Sequence, residues 1–283
     1  MNITYITTCK GRLNHLKQTL PGVVRQRGID IVVVDYGCPD GTADWVGQVF
    51  PAVRVVRVDD DPGFNTARAR NRAAAVSSTQ WLAFFDADIL LGDHFFAHEF
   101  PRLATGNFYV ADPADPNTSG SCIVERAAFE AVGGYDEVFS GWGGEDIDLY
   151  NMLALHGVRR GTYSGQMVTP IRHTDLERTR FHAIKDLNCQ LQLNDFYRQV
   201  KMDLLRMTGS IPDRAQRAEL WGAVTRLIAR AAENDLEPAD RTLRVSLPDR
   251  ALKSMSMSTS AAASNPQIRS WLSYELSGRT GLP

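Results

Sequence analysis

Segments rich in apolar and β-branched residues alternate with amphipathic segments over the first part of the chain. They predict four strands, at residues 3–8, 31–34, 53–58 and 81–85, of which 31–34 is apolar throughout. Between them, apolar residues at helical spacing or an Ala-rich composition predict three helices, at residues 13–23, 42–49 and 65–76. Strands without polar alternation are typical of parallel sheets buried on both faces. The order predicts an α/β fold with a doubly wound, mostly parallel sheet and right-handed crossovers.

The pattern changes after Leu91. Further helices are predicted at 93–103, 125–132, 145–157, 176–207 and 214–233, and further strands at 108–111, 121–124 and 163–168. We predict one domain over residues 1–207 and a helical C-terminal extension over 208–283. That extension ends in a Ser/Ala/Met-rich tail around 254–264, which we expect to be loosely ordered.

Composition narrows the class of protein. The chain has 283 residues, 43% of them hydrophobic, and a formal net charge of −2, which gives no basis for binding nucleic acid. The four cysteines have no CxxC or paired spacing, so we expect a reduced, cytoplasmic protein without a disulfide framework. Neither a signal peptide nor a transmembrane segment is expected from the pattern of apolar residues.

Polar side chains gather where the predicted strands end. These positions are Thr7 and Thr8, Asp35, Asp59–Asp61, and the pair Asp86 and Asp88 around Ala87. Carboxyl ends of parallel strands meet at one edge of a sheet, where ligands bind. Two carboxylates there suit a hard divalent cation and an anion that it carries, although a capping turn would also explain them.

Neither glycine-rich phosphate-binding motif is present in the sequence, so a bound diphosphate would need a metal ion and basic side chains. Arg68, Arg70 and Arg72 lie on one predicted helix and could supply charge. A solvated helix face explains the same three arginines.

A Gly-rich turn, Trp142-Gly143-Gly144, leads into a helix that starts with Glu145 and Asp146. Acids in a first helical turn are favoured by the macrodipole. The tryptophan beside two glycines instead indicates a mobile apolar surface of the kind that a sugar-binding lid needs. Either acid is a candidate general base, and the role of Asp148 stays open.

His173 follows a predicted strand among polar residues, and its imidazole together with a carboxylate suits manganese. We interpret the other histidines as structural or surface residues: His15, His94, His98, His156 and His182.

Four sequence blocks occur in the order and spacing of a known family. They are Phe64-Asn65-Thr66-Ala67-Arg68 with Asn71, Phe85-Asp86-Ala87-Asp88, Gly141-Trp142-Gly143-Gly144-Glu145-Asp146-Ile147-Asp148 with Tyr150-Asn151, and Ile171-Arg172-His173. Over residues 1–185 the chain resembles the β-1,4-galactosyltransferases and bacterial chondroitin-type polymerases. Its N-terminal part, with the turn at residues 35–42, is similar to family 2 glycosyltransferases.

The resemblance implies a GT-A fold in which residues 1–111 bind the nucleotide and 112–207 hold the acceptor and metal. The implied donor-binding residues are Thr7, Thr8, Arg12, Asp35, Phe64, Arg68, Asp86, Ala87 and Asp88. The implied metal ligands for Mn²⁺, or another divalent cation such as Mg²⁺, are Asp88 and His173. The implied sugar and acceptor site comprises Trp142, Gly143 and Gly144, with Asp146 as the base and Glu145 as its sugar-binding neighbour.

One position departs from the family, because Pro170 stands where the relatives often have a methionine ligand. Water or a diphosphate oxygen would then complete the metal shell. The expected reaction is inverting transfer of a hexose, of the Gal, GalNAc or Glc type, from a UDP-sugar to a hydroxyl of a glycan or glycoconjugate. A retaining GT-A transferase and a catalytically dead sugar-nucleotide-binding module remain alternatives, and a nucleotidyltransferase fits poorly. A peripheral membrane or protein partner could dock on the C-terminal helices.

Overall fold

The computed structural model describes residues 1–232, 242–246 and 271–275. These fall into two compact units, Met1–Leu187 and Asn188–Pro283, each of which is described by itself. The sequence-based boundary at residue 207 stays a prediction. The Ser/Ala/Met-rich tail at 254–264 lies outside the described residues.

The first unit opens with strands and helices in strict alternation. The strands are β1 (Ile3–Cys9), β2 (Asp30–Asp35), β3 (Arg54–Arg57) and β4 (Trp81–Phe84). The helices are α1 (Leu13–Val24), α2 (Thr42–Val49) and α3 (Thr66–Val76). This confirms the predicted alternation, and α1 runs through Pro21 as one helix instead of restarting there.

The rest of the first unit consists of shorter elements. The strands are β5 (Ile89–Leu91), β6 (Asn107–Asp112), β7 (Cys122–Glu125), β8 (Arg159–Ser164) and β9 (Val168–Pro170). The helices are α4 (Phe95–Glu99), α5 (Arg126–Ala131), α6 (Glu145–Leu155) and α7 (Asp175–Thr179).

Seven strands form the central sheet, in the order β3-β2-β1-β4-β7-β6-β8. β1 to β4 are mutually parallel, β7 is antiparallel to both of its neighbours, and β6 is parallel to β8. β5 and β9 form a separate antiparallel pair. Since β1 and β4 are adjacent and parallel, the polar residues at their carboxyl ends share one edge of the sheet.

Aromatic packing fixes the centre of this sheet. Tyr5 of β1 stacks on Phe85 with ring centroids 5.9 Å apart, and Phe95 meets Phe85 edge to face. All three side chains are essentially buried. Burying a side chain of this size stabilises the fold by about 1.5–3 kcal/mol, so these rings contribute strongly to the stability of the sheet.

Two predicted elements were wrong in extent. The strand expected at 163–168 ends at Ser164, because the Gly165 backbone packs directly on the carbonyl of Pro113 and the chain turns there. The long helix expected at 176–207 is two helices, since residues 180–186 leave the helical path and Phe181 packs on Gly11.

The second unit contains α8 (Leu187–Thr208), α9 (Arg214–Ala232) and an antiparallel pair, β10 (Thr242–Ser246) with β11 (Trp271–Glu275). Tyr197 of α8 meets Trp221 of α9 edge to face at 5.1 Å. α9 falls within the predicted extension, whereas α8 lies before it in the sequence and the strand pair was not expected. None of the helices within the described residues has the length and apolar content needed to cross a membrane.

Candidate active site

A cleft lies at the carboxyl ends of β1 and β4. Eleven of the sequence-predicted site residues line it. They are Thr8, Arg12, Phe64, Asp86, Ala87, Asp88, Trp142, Gly143, Glu145, Asp146 and His173. Remote segments of the chain therefore meet in one cavity, as the motifs predicted.

Asp88 and His173 are in direct contact in this cleft. The imidazole Nε2 lies 2.6 Å from Asp88 Oδ2, and Arg12 Nη2 lies 3.3 Å from the other ring nitrogen, Nδ1. With Arg12 donating to Nδ1, the ring carries its proton on Nε2 and donates it to Asp88. Among the described residues, no group of three or more His, Cys, Asp or Glu side chains could hold a metal ion. Asp88 and His173 are thus a pair of potential ligands, not a complete cage.

The β5–β9 ladder brings these two side chains together. Ile89 pairs with Pro170, and the N–H of Ile171 donates to the carbonyl of Asp88 at 2.7 Å. Asp88 directly precedes β5, and Ile171 directly follows β9. The ladder therefore places Asp88 beside the segment that carries His173. Pro170 is compatible with this two-stranded pair because proline, which has no backbone N–H to donate, is tolerated in edge strands.

Arg70 connects the two acidic motifs. Its Nη2 donates to Asp86 Oδ1 at 2.7 Å and its Nη1 donates to Glu145 Oε1 at 3.1 Å. The guanidinium also lies 5.1 Å from the centre of the Tyr135 ring, and the residue is only 3% exposed. The solvated-face interpretation was therefore wrong for Arg70, whereas Arg72 is exposed.

Sequence reasoning gave Arg70 no more weight than its neighbours, yet a signal existed. Arg70 has the helical spacing of Ala67 and Ala74, which are buried on α3. Arg68 and Arg72 share the other face. An arginine within an apolar stripe predicts a buried partner for its charge.

Glu145 and Asp146 start α6 and are nearly buried. Burial, then the Asp146 charge, raise the pKa of Glu145 to about 7, against the opposing effect of Arg70. Burial likewise raises the pKa of Asp146, again opposed by Arg70. Carboxylates with raised pKa values accept protons more readily near neutral pH than ordinary ones do.

The Trp-Gly-Gly turn places a flat apolar surface at the cleft. Gly143 and Gly144 have φ values of 79° and 93°, a region that favours glycine. Trp142 packs against the Arg178 guanidinium, 5.3 Å from the ring centre, and Arg178 donates to Asn117 Oδ1 at 2.6 Å. The loop before β7, the tryptophan turn and α7 therefore meet around the cleft.

An aromatic wall lines the opposite part of the cleft. Phe64 contacts Tyr36 edge to face at 5.4 Å and stacks on His182 at 6.1 Å. Burial lowers the pKa of His182 to about 4, so the ring is neutral at pH 7. Phe181 and His182 both line the cleft. His182, which we interpreted as a structural or surface residue, is thus a buried residue that also borders the cleft.

Four predicted site residues do not line the cleft. Thr7 is buried in β1, Gly144 caps α6, and Arg68 donates to Asp60 at 2.6 Å. Asp35 is buried and accepts hydrogen bonds from the backbone N–H groups of Cys38 and Ala43, each at 2.7 Å. Direct donor contacts for these four stay a prediction.

Gly120 lies close to the carboxylates. A Cβ built there would be 3.1 Å from Arg70 Nη2, 3.2 Å from Asp86 Oδ2 and 3.9 Å from Asp146 Oδ2. The Tyr150 hydroxyl holds the adjoining loop by donating to the Ser119 carbonyl at 2.9 Å. Only a residue without a side chain allows the loop to approach this closely.

Two family models match the first unit. Residues 4–119 match glycosyl transferase family 2, and residues 102–175 match the N-terminal domain of galactosyltransferase. The two matches overlap and together cover all four of the sequence blocks.

The chain is similar in sequence to proteins of known activity. It is 28% identical to a validoxylamine A glucosyltransferase of Streptomyces hygroscopicus subsp. jinggangensis, over 50% of this chain and 49% of that protein. It is 29% identical to chondroitin sulfate synthase 3 of Homo sapiens, over 36% of this chain and 10% of that protein. The chain thus spans about half the length of the first relative and a tenth of the second.

Two solved structures share the fold. S. aureus TarS 1-349 in complex with UDP-GlcNAc superimposes with a TM-score of 0.57 at 12% identity, over 82% of this chain and 73% of TarS. The mannosyltransferase PcManGT from Pyrobaculum calidifontis, in complex with GDP-Man and Mn²⁺, gives 0.53 at 17% identity, over 91% and 79%.

Proposed function

Because the chain is a family 2-like glycosyltransferase of the GT-A fold, we propose that it transfers a hexose from a UDP-sugar to a hydroxyl of a glycan or glycoconjugate. The proposed reaction is metal-dependent and inverts the anomeric carbon. The observation that carries this proposal is the meeting of Asp88, His173 and Asp146 in one cleft.

A divalent cation fits the Asp88–His173 pair. Carboxylate oxygen and imidazole nitrogen suit Mn²⁺, and carboxylate oxygen also suits Mg²⁺. With two protein ligands, water or diphosphate oxygens would supply the remaining positions of the shell, and Pro170 adds none. Bound there, the ion would neutralise charge on the departing diphosphate.

The donor would lie between the aromatic wall and the basic side chains. Phe64 and Phe181 line the cleft and offer apolar faces to a planar base. Lys10 and Arg12 both line the cleft and carry positive charge, and Arg12 lies next to the proposed ligand pair. This supports an anionic nucleotide as the donor.

Asp146 is the proposed general base. As the acceptor oxygen bonds to the anomeric carbon and the bond to the diphosphate breaks, the Asp146 carboxylate takes the hydroxyl proton. Arg70 keeps the neighbouring Glu145 in place through its 3.1 Å ion pair. Trp142 supplies an apolar platform for a sugar ring at the same cleft.

Hydrolysis and transfer assays with common UDP-sugars, with and without Mn²⁺, test the proposal. We expect turnover that requires the ion and is lost in Asp146→Asn, while metal-dependent UDP binding persists. Asp44→Asn, at an exposed carboxylate paired with Arg57, is the matched control and should retain activity.

Three outcomes decide between the functions. Undiminished activity of Asp146→Asn would rule out the assigned base. A product with retained anomeric configuration, measured by NMR, would favour the retaining transferase. UDP binding without any turnover, across donors and acceptors, would favour a dead sugar-nucleotide-binding module.

The donor screen also identifies the transferred sugar, for which we propose galactose, N-acetylgalactosamine or glucose. Several donors have to be compared because one substitution in a pocket can switch the hexose preference. We further propose that residues 1–207 act as the transferase domain in the cytoplasm. Residues 208–283 would then contact a membrane-bound or protein partner.

A further inference from the structure

Two cysteines meet at the turn that follows β2. Cys9 is the last residue of β1 and pairs in register with Asp35 of β2. The Asp35 carboxylate accepts the N–H of Cys38 at 2.7 Å, which folds the turn back towards β1. The sheet register and one buried carboxylate therefore bring two sulfurs together from positions far apart in the sequence.

The two sulfurs have different surroundings. The Gly11 N–H donates to Cys38 Sγ at 3.1 Å. Thr42 Oγ1 donates to Cys9 Sγ, also at 3.1 Å. Hydrogen bonding with the Cys9 thiol is the main reason that the pKa of Cys38 falls to about 5, and the same pairing, with burial, raises the pKa of Cys9. The cysteine in the turn is therefore the more acidic of the two.

The two cysteines differ in their exposure. Cys38 is half-buried between the exposed residues Gly37 and Pro39, whereas Cys9 is fully buried. The charged groups around the turn include the carboxylates of Asp35 and Asp40 and the Lys10 ammonium, which lies 3.7 Å from a Cβ built on Gly37. An accessible thiolate backed by a second thiol is the arrangement of redox-sensing cysteine pairs.

We propose that Cys9 and Cys38 are a reversible redox switch that a peroxide closes into a disulfide. The Cys38 thiolate attacks the peroxide, so that an S–O bond forms, the O–O bond breaks, and sulfur is oxidised to sulfenic acid as the peroxide is reduced. The Cys9 sulfur then attacks Cys38, forming the S–S bond, and the hydroxyl leaves with the Cys9 proton as water. A dithiol reductant reverses the closure by exchange.

The switch is coupled to the cleft through Gly11. Gly11 donates to the Cys38 thiolate and is flanked by Lys10 and Arg12, both of which line the cleft. Closing the disulfide removes the anionic acceptor of that N–H, so the segment loses a charge-assisted hydrogen bond. We expect weaker nucleotide binding in the oxidised protein, a consequence that rests on the proposed function.

Peptide mapping by mass spectrometry tests the switch on the full chain. After treatment with one equivalent of hydrogen peroxide, we expect a loss of two hydrogens and a Cys9–Cys38 cross-linked peptide that dithiothreitol removes. Cys189→Ser, at the other half-buried cysteine, is the matched control and should still form it. Cys38→Ser should not. Absence of the cross-link in the wild type, or pairing of either cysteine with another one, would overturn the proposal.

Alkylation rates provide a second measurement that needs no variant. The rate at Cys38 should change less than about two-fold from pH 6 to pH 8, because a thiol with a pKa of about 5 is already ionised. An ordinary thiol with a pKa near 8.5 speeds up about 75-fold over this range. A comparable rise at Cys38 would contradict the thiolate on which the switch depends.

Calorimetry with UDP and Mn²⁺ separates the switch from the proposed function. At least ten-fold weaker binding after oxidation, restored by dithiothreitol, supports the coupling, and equal binding in both forms refutes it. Should the reduced protein bind no UDP, the proposed function fails, while the cross-link map still decides whether the cysteine pair is redox-active.

Discussion

Replacing Arg70 with methionine removes the one cation that joins Asp86 to Glu145. Both ion pairs are short, at 2.7 and 3.1 Å, and Arg70 is 3% exposed. Removing one partner of a buried ion pair costs about 3–5 kcal/mol, because the other charge stays buried without compensation. We expect Arg70→Met to lose stability of this order at pH 8.

The loss should depend on pH in a defined direction. Glu145 has a pKa of about 7, and Arg70 opposes the rise. At pH 8 Glu145 is ionised and its pair with Arg70 is complete, whereas at pH 5 it is protonated and only the pair with Asp86 remains. The difference in urea midpoint between wild type and Arg70→Met should therefore be larger at pH 8 than at pH 5.

Tryptophan fluorescence during urea unfolding at both pH values measures these midpoints. Arg72→Met is the matched control, because Arg72 lies on the same helix but is exposed, and surface changes are usually within about 0.5 kcal/mol. An equal effect of the two substitutions at pH 8 would refute the assignment of Arg70 as the buried link. An equal effect of Arg70→Met at both pH values would refute the role of Glu145.

Three further predictions concern the ligand pair, the loop and the acids. Asp88→Asn and His173→Ala should each weaken Mn²⁺-dependent UDP binding in calorimetry by at least about ten-fold, with EDTA as control; unchanged binding would exclude the pair as metal ligands. Gly120→Val should displace Arg70, 3.1 Å from the new Cβ, and lower turnover by up to about 100-fold; wild-type turnover would contradict this. Because the folded-state pKa of Glu145 is raised from 4.5 to about 7, its stabilising contribution is complete below pH 4.5 and lost as pH rises through 7. Glu145→Gln should therefore remove about 3 kcal/mol of this pH dependence from urea unfolding, and an unaltered dependence would refute the raised pKa.

Local sequence patterns predicted much of the sheet and its edge. The strand with Thr8 was recognisable by its β-branched residues, and the strand that precedes Asp86 by its continuous apolar residues, which are typical of buried parallel strands. Because the two strands were predicted to be parallel, the polar residues at their carboxyl ends were expected at the same edge of the sheet. The pairing of Asp88 with His173 could be inferred only from the family resemblance, because two short strands, β5 and β9, create it.

The remaining features depend on tertiary contacts that no local pattern encodes. Residues 180–186 have a composition compatible with a helix, yet Phe181 packs on Gly11 and His182 stacks on Phe64. Such contacts outweigh helix propensities, which differ by less than about 1 kcal/mol between ordinary residues. The closeness of Gly120 to the carboxylates likewise follows from loop packing alone.

The short β5–β9 ladder attaches one segment of the chain to the rest of the first unit. This segment, about twenty residues after Val168, carries His173, which we propose as a metal ligand, and the rings of Phe181 and His182, which border the proposed nucleotide site. Three backbone pairs anchor its beginning. On the proposed function, exchanging this segment for that of a relative would change the metal preference and the base recognition together, while the central sheet stays as it is.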